Sequence, residues 1–213
     1  EESVSKARAI CEASDKIDPE HLDEAVEAIG VGAVVFGELR NLRANDYTFD
    51  WEDVLQFTGF TGPSVQFSHA RACSILRRGG SEDLAGARLE RLELEEERQV
   101  LRALASFPDV VARACEAYEP ALVARAIFNL SQVVATYFTA GNQDRSKRFL
   151  IEGDAELRRA RLCLVDAIRA TLAEKDYLNG SFYLRRQMYD SAIKYFEFVI
   201  QRYPDSEVAP QAL

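Results

Sequence analysis

The sequence is short of nearly everything from which an active centre is usually built. It has only two histidines in 213 residues, His21 and His69. A zinc site made of several imidazoles is therefore excluded. No G-x-x-x-x-G-K-[ST], G-x-G-x-x-G or G-x-S-x-G string occurs, which removes the phosphate-cradling loops and the strained nucleophile turn. Carboxylate pairs such as Asp50 and Asp53 are plentiful, but a chain that is 29% charged makes them by chance. The four cysteines, Cys11, Cys73, Cys115 and Cys163, are far apart and form no C-x-x-C pair. Each falls in an apolar helical pattern, which predicts buried, reduced thiols and not zinc ligands or disulfides. No apolar run approaches the ~18 residues of a membrane span. The N-terminus EESVSKARAI has neither the basic start nor the apolar stretch of a signal peptide. A cytoplasmic protein without a membrane partner is expected, and with no initiator Met the chain is expected to begin inside a longer protein.

Prolines are also few, six in all, and fall at segment boundaries. No stretch alternates apolar and polar residues long enough to make a strand, so the fold is expected to be all-α. The first helix is predicted over Val4 to Ala13. A second is predicted from Asp18, an N-cap followed by Pro19, to Ile29, with Gly30 and Gly32 as breaks and VGAVVFGEL opening a third. Asp50 should cap a short helix over DWEDVLQF. Thr61 to Arg78 reads as helix, with Pro63 in its first turn and Gly79-Gly80 ending it. A charged helix follows from Leu84 to Ala105, its acidic run LELEEERQVL read as a solvated face. Pro108 should start the next, ending near Tyr118. Pro120 then opens an amphipathic helix with Val123, Ile127, Leu130, Val134 and Tyr137 on one side and Arg125, Asn129, Gln132 and Thr136 on the other. GNQDRSKRF reads as a polar, basic loop, and AELRRARLCLVDAIRATLA closes the unit. Residues 61–173 are expected to form one packed bundle.

The net charge of −9 is unevenly spread. Residues 1–60 carry the whole imbalance, 61–80 hold three arginines and no acid, 81–135 come to −4 and 136–213 to +1. A polyanionic partner should therefore meet the segments around 61–80 and 136–169.

Two blocks carry a resemblance. The first is DYTFDWEDVLQFTGFTGPSVQFSHARACSILRR, Asp46 to Arg78, with Phe49-Asp50-Trp51, Phe57 to Gly62, Pro63, Gln66-Phe67 and Ala70-Arg71 in a fixed order. The second runs from Tyr118 to Ala173 and includes Asp166, Ala167, Ile168 and Arg169, matching an Asp-Ala-Leu-Arg tetrad. Together they resemble the C-terminal part of arginyl-tRNA synthetases, over roughly residues 18–173. The resemblance implies a helical bundle of the class I synthetase anticodon-binding type that binds tRNA and positions it for ATP-dependent arginylation in translation. The adenylation motifs of that family, H-I-G-H and K-M-S-K in type, are missing. No cofactor is therefore expected in this chain (ATP and magnesium serve the intact family), and on its own it is expected to be inactive. The family's usual C-terminal turn is replaced by EKDYLNGSFYLRR.

The last segment, residues 179–213, resembles one tetratricopeptide repeat through Gly180, Tyr183, Ala192, Phe196 and Pro204. Its wording YFEFVIQRYPDSEVAPQAL is similar to repeats of outer-membrane assembly lipoproteins. A single repeat cannot bury its own apolar face, so this reads as an appended helical hairpin, a fragment or a fusion boundary. The expected organisation is 1–60 linking a catalytic domain to the bundle, 61–176 as the anticodon-binding domain, and 177–213 as the repeat-like pair. A helical-repeat scaffold that binds a protein partner through 179–213 is the alternative function.

On the synthetase reading, Arg71, Arg77 and Arg78 contact phosphates, or else they form a solvated helix end near its negative dipole pole. Arg145, Lys147 and Arg148 stand on a loop, where RNA-binding side chains are often placed. Asn129 and Gln132 offer amides to base edges. Tyr137 is either core or a stacking platform for an unpaired base, and the resemblance adds Gln66 to the tRNA-facing set. Trp51 is expected to pack at the domain junction, His69 to be half-buried, and Asp166 and Arg169 to serve packing.

Overall fold

The computed structural model describes residues 2–13, 19–80 and 83–185, with side chains as far as Leu172. Among the described residues there are seven α-helices, three single 3-10 turns and no strand. The helices are α1 (Glu2–Glu12), α2 (Leu22–Leu39), α3 (Trp51–Val54), α4 (Gly62–Gly79), α5 (Glu95–Ala117), α6 (Ala121–Gln143) and α7 (Ala155–Arg185). The 3-10 turns are Pro19–His21, Leu89–Arg91 and Arg145–Lys147. The chain divides into two compact units, one of residues 1–70 with 105–135, the other of 71–104 with 136–213. The stretch 61–173, expected as one bundle, is thus shared between two units.

In the first unit, α1 packs on α2 around Ala7, Cys11, Val26, Ala33, Val54 and Leu55, with Phe49 and Trp51 against the cluster. Asp50 caps α3 by accepting from the Glu52 N–H at 2.9 Å. The expected breaks at Gly30 and Gly32 are absent, because α2 runs through both. These glycines serve close approach. A methyl group on Gly30 would lie 2.9 Å from the Ser3 carbonyl oxygen, and one on Gly62 would lie 2.5 Å from that of Gly32. Helix propensity lost at each glycine, about 1 kcal/mol, is offset by backbone-to-backbone packing that no side chain would allow.

Two further boundaries differ from expectation. The charged helix begins at Glu95, after the turn at Leu89–Arg91, and continues through Pro108 to Ala117. A proline inside a helix removes one rung of the ladder, whereas a full break there would leave several carbonyls and N–H groups without partners on each side. At its end, the Glu119 N–H reaches the Ala114 carbonyl at 2.9 Å and the Tyr118 N–H reaches that of Cys115 at 3.2 Å. This is a Schellman cap with Tyr118, at φ 52°, where glycine is usual. α7, for its part, passes Asn179-Gly180 without a break and reaches Arg185. The rest of the repeat-like segment, including Ala192, Phe196 and Pro204, lies outside the described residues.

α6 follows its predicted stripe: Ile127, Leu130, Val134 and Tyr137 are buried, while Arg125, Asn129, Gln132 and Thr136 are exposed. By length and composition α6 is apolar enough to cross a membrane, although polar residues such as Arg125 and Asn129 interrupt its apolar run in the sequence. Its two-sided pattern is that of a helix packed against protein. The thiols also depart from expectation, since Cys11 is buried, Cys73 and Cys163 are half-buried, and Cys115 is exposed. Burial pushes the Cys73 thiol up, against the pull of Arg169 and Arg77.

Candidate nucleic-acid interface

The second unit gathers two basic segments that are far apart in sequence, and α7 is what gathers them. Arg158, near the start of α7, donates from Nη2 to the Gly79 carbonyl at 3.0 Å, fixing the end of α4 immediately after Arg77 and Arg78. One turn further on, Arg161 donates from Nη1 to the carbonyls of Ser146 and Arg148, both at 2.7 Å. A methyl group on Gly79 would lie 2.7 Å from Leu162 Cδ2 and 3.5 Å from Leu150 Cδ2, so the end of α4 rests directly on α7 and the segment after the 3-10 turn. Arg77, Arg78, Arg145 and Arg148 are all exposed. The two elements that carry these four guanidinium groups are thus both docked on one helix, in a chain whose overall charge is negative.

The turn that carries Arg145, Lys147 and Arg148 is more ordered than a loop. Asp144 caps it, accepting from the Ser146 N–H and from Ser146 Oγ, each at 2.8 Å, and these bonds hold its carboxyl below the usual range. Lys147 is half-buried and pairs with Glu96 at 2.6 Å. This pairing lowers the Glu96 carboxyl and raises the Lys147 ammonium. Arg148 donates from Nε to the Gly141 carbonyl at 3.2 Å.

Three expected contact residues are committed elsewhere. Tyr137 is 0% exposed; its hydroxyl donates to Glu97 Oε1 at 2.7 Å, and its ring packs on Phe149 with centroids 4.2 Å apart. Burial, reinforced by that carboxylate, pushes the phenol far up. It is a core residue here, not a stacking platform for a base. The half-buried Arg71 lies over the Phe138 ring at 4.9 Å, a cation–π contact. In the first unit, Gln66 donates from Nε2 to the Ala28 carbonyl at 2.9 Å, which uses the amide for packing α4 on α2. Asn129 and Gln132, also in the first unit, are exposed on the polar face of α6 as expected. Asp166 and Arg169 pair with each other within α7 at 2.9 Å.

The sequence reading missed Glu97 and Arg161. Glu97 stood in a run taken as a solvated face, yet it is 0% exposed and Arg161 is 2% exposed, with Arg161 Nε donating to Glu97 Oε1 at 2.7 Å. Glu97 Oε2 also accepts from the Leu94 N–H at 2.9 Å, the returning half of a capping box. A signal was present in both cases. Glu97 shares the stripe of Val100 and Phe107, and Arg161 shares that of Leu157, Leu164, Val165 and Ile168, so opposite charges stand in the apolar stripes of two helices. Among the described residues no group of three or more His, Cys, Asp or Glu side chains is placed to hold a metal ion.

Comparison with known proteins agrees with this architecture. The model of the DALR anticodon binding domain matches residues 65–178. That is more than half of the chain, and the chain belongs to this family. More particularly, it is similar to arginine–tRNA ligases. The protein of Ligilactobacillus salivarius is 42% identical over 158 residues, which is 74% of this chain and 26% of that protein. That of Clostridioides difficile is 37% identical over 179 residues, 84% of this chain and 30% of that one. Among solved structures, Thermus thermophilus arginyl-tRNA synthetase matches with a TM-score of 0.75 at 31% identity, covering 83% of this chain and 29% of that one. The Plasmodium falciparum arginyl-tRNA synthetase, at 19% identity and a TM-score of 0.65, shares the fold. The chain thus spans between a quarter and a third of the length of these relatives.

Proposed function

We propose that this chain binds the anticodon stem and loop of a tRNA, an arginine tRNA, and so supplies the RNA-binding part of an arginine–tRNA ligase in the cytoplasm. The observation that carries the reading is the family match over 65–178, which takes in the clustered arginines of α4 and the Arg145–Lys147 turn. Residues 61–176 act as the binding segment, preceded by a linking segment and followed by 177–213. Arg77, Arg78, Arg145 and the outer part of Arg148 hold phosphates, which set register and carry no sequence information. Asn129 and Gln132 read base edges of the unstacked loop through their amides. Lys147, tied to Glu96, shapes the turn, and Arg71, Gln66 and Tyr137 support packing. The scaffold alternative through 179–213 is not favoured, since the family matched over more than half of the chain is an anticodon binding domain. Arginylation itself belongs, on this reading, to parts of the longer relatives outside the matched segment.

The test is filter binding of an arginine tRNA and an anticodon-swapped control at two salt concentrations. Replacing Arg77, Arg78 and Arg145 together with Ala should weaken both RNAs alike and flatten the salt dependence, by roughly one unit of slope per lost phosphate contact. Gln132→Ala should instead erode the preference between the two RNAs, by about 1–3 kcal/mol. Equal binding of both RNAs by the wild-type chain would remove the anticodon assignment.

A further inference from the structure

We infer that Arg161, held by Glu97, is a positioning residue that sets the shape of the Asp144–Arg148 turn from inside the core, and through that shape its grip on RNA phosphates. The second half of this statement rests on the RNA-binding reading above; the first half does not. The geometry is specific. Among the described residues Arg161 donates once to Glu97 and twice to backbone carbonyls of the turn, at Ser146 and Arg148. Those carbonyls flank Lys147, so drawing both inward fixes the backbone on either side of it. Lys147 then closes the inner side through Glu96, which leaves Arg145 and the outer end of Arg148 exposed.

The choice of residue follows from the same geometry. A guanidinium is a rigid planar fork that serves three acceptors at once and stays charged at any working pH. An ammonium in its place could keep the carboxylate but could not also span both carbonyls. Glu97 is shared in turn, since its Oε1 accepts from Tyr137 as well as Arg161, and its Oε2 accepts the Leu94 N–H at the start of α5. The turn is therefore anchored to the N-terminus of α5 and to the end of α6 through one buried carboxylate. Each candidate phosphate ligand on the turn lies within three residues of a carbonyl that Arg161 holds.

The experiment uses the full 213-residue chain and separates positioning from mere stability. Arg161→Lys keeps the charge opposite Glu97 but loses the fork. The triple variant Glu97→Met, Tyr137→Phe, Arg161→Met replaces the whole buried polar cluster by apolar groups and so avoids an orphaned charge. Thermal melting reports stability, tryptic cleavage after Arg145, Lys147 and Arg148 mapped by mass spectrometry reports turn order, and titration with an arginine tRNA transcript reports binding. Both variants should melt close to wild type, be cut in the turn about tenfold faster, and bind the transcript about tenfold more weakly with a shallower salt dependence. Wild-type cleavage in the turn of a folded Arg161→Lys protein would overturn the inference, as would wild-type RNA affinity in a variant whose turn is cut faster. Cleavage that accelerates everywhere in step with the melting point would also overturn it, by showing a structural role only. If the wild-type chain binds no tRNA, the proposed function falls, and the cleavage pattern still decides whether Arg161 holds the turn.

Discussion

Each of the two compact units coheres by a different means. In the first, α1, α2 and α4 meet at glycines, where Gly30 faces the Ser3 backbone and Gly62 faces the Gly32 backbone, over an apolar cluster of small residues with Phe49 and Trp51. In the second, the buried Glu97–Arg161 pair and its bond to Tyr137 occupy the middle. At its surface, Arg91 reaches from the 3-10 turn at Leu89–Arg91 to Asp154 and Glu156 by the start of α7. One unit depends on the absence of atoms and the other on the balance of charge. The first should be the more sensitive to side chains added at its glycines, and the second to removal of either charge of its buried pair.

The largest test of this contrast is Glu97→Leu alone. It strands the Arg161 guanidinium in the core, and chain stability by urea denaturation should fall by about 3–5 kcal/mol; a loss below 1 kcal/mol would mean that water reaches the pair. Gly62→Ala comes next, at about 1–3 kcal/mol, because the added methyl meets backbone, which cannot step aside. Gly32→Ala should cost less, about 1 kcal/mol, the price of one displaced hydrogen bond. The atom it meets is Gln66 Nε2, the end of a flexible side chain that now donates to Ala28. If the two glycine variants melt alike, rigidity of the facing atom is not what matters. Tyr118→Gly should stabilise slightly, by about 1 kcal/mol or less, since glycine takes the left-handed cap position without strain.

The last prediction concerns pH and carries the smallest effect. Lys147 holds the Glu96 carboxyl below its ordinary value of 4.5, so that contribution is present above 4.5 and is lost as pH falls through the lowered value. Glu96 raises Lys147 above its ordinary 10.5, so its share is present below 10.5 and is lost as pH rises through the raised value. The difference in melting temperature between wild type and Glu96→Gln should accordingly stay level from about pH 5 to about pH 10 and close only beyond those limits. A gap that varies around neutrality would mean that another group titrates against the turn.

Periodicity explains what could be read in the sequence. α6 announced itself because four buried apolar positions recur at three- and four-residue steps, and its exposed amides followed from the same count. Glycine and proline were misread in α2 and α5 because local rules treat them as breaks, whereas packing partners distant in sequence decide whether a helix continues. The basic patch was legible as charge, but its assembly was not. Nothing local indicates that Arg158 will reach Gly79 or that Arg161 will reach Ser146. Tyr137 was open between core and stacking until Glu97 was found beneath its hydroxyl.

The proline within α5 has a consequence for how that helix breathes. Pro108 has no N–H, so the Leu104 carbonyl receives no ladder bond from it. The chain also passes from one compact unit to the other between Leu104 and Ala105. Fraying that starts at either end of the helix therefore meets a missing rung at the same place, and helix propagation must begin anew beyond it. In amide-exchange terms, the 23 residues of α5 are expected to behave as two protection blocks, 95–104 and 105–117, each taking the opening free energy of the unit to which it belongs.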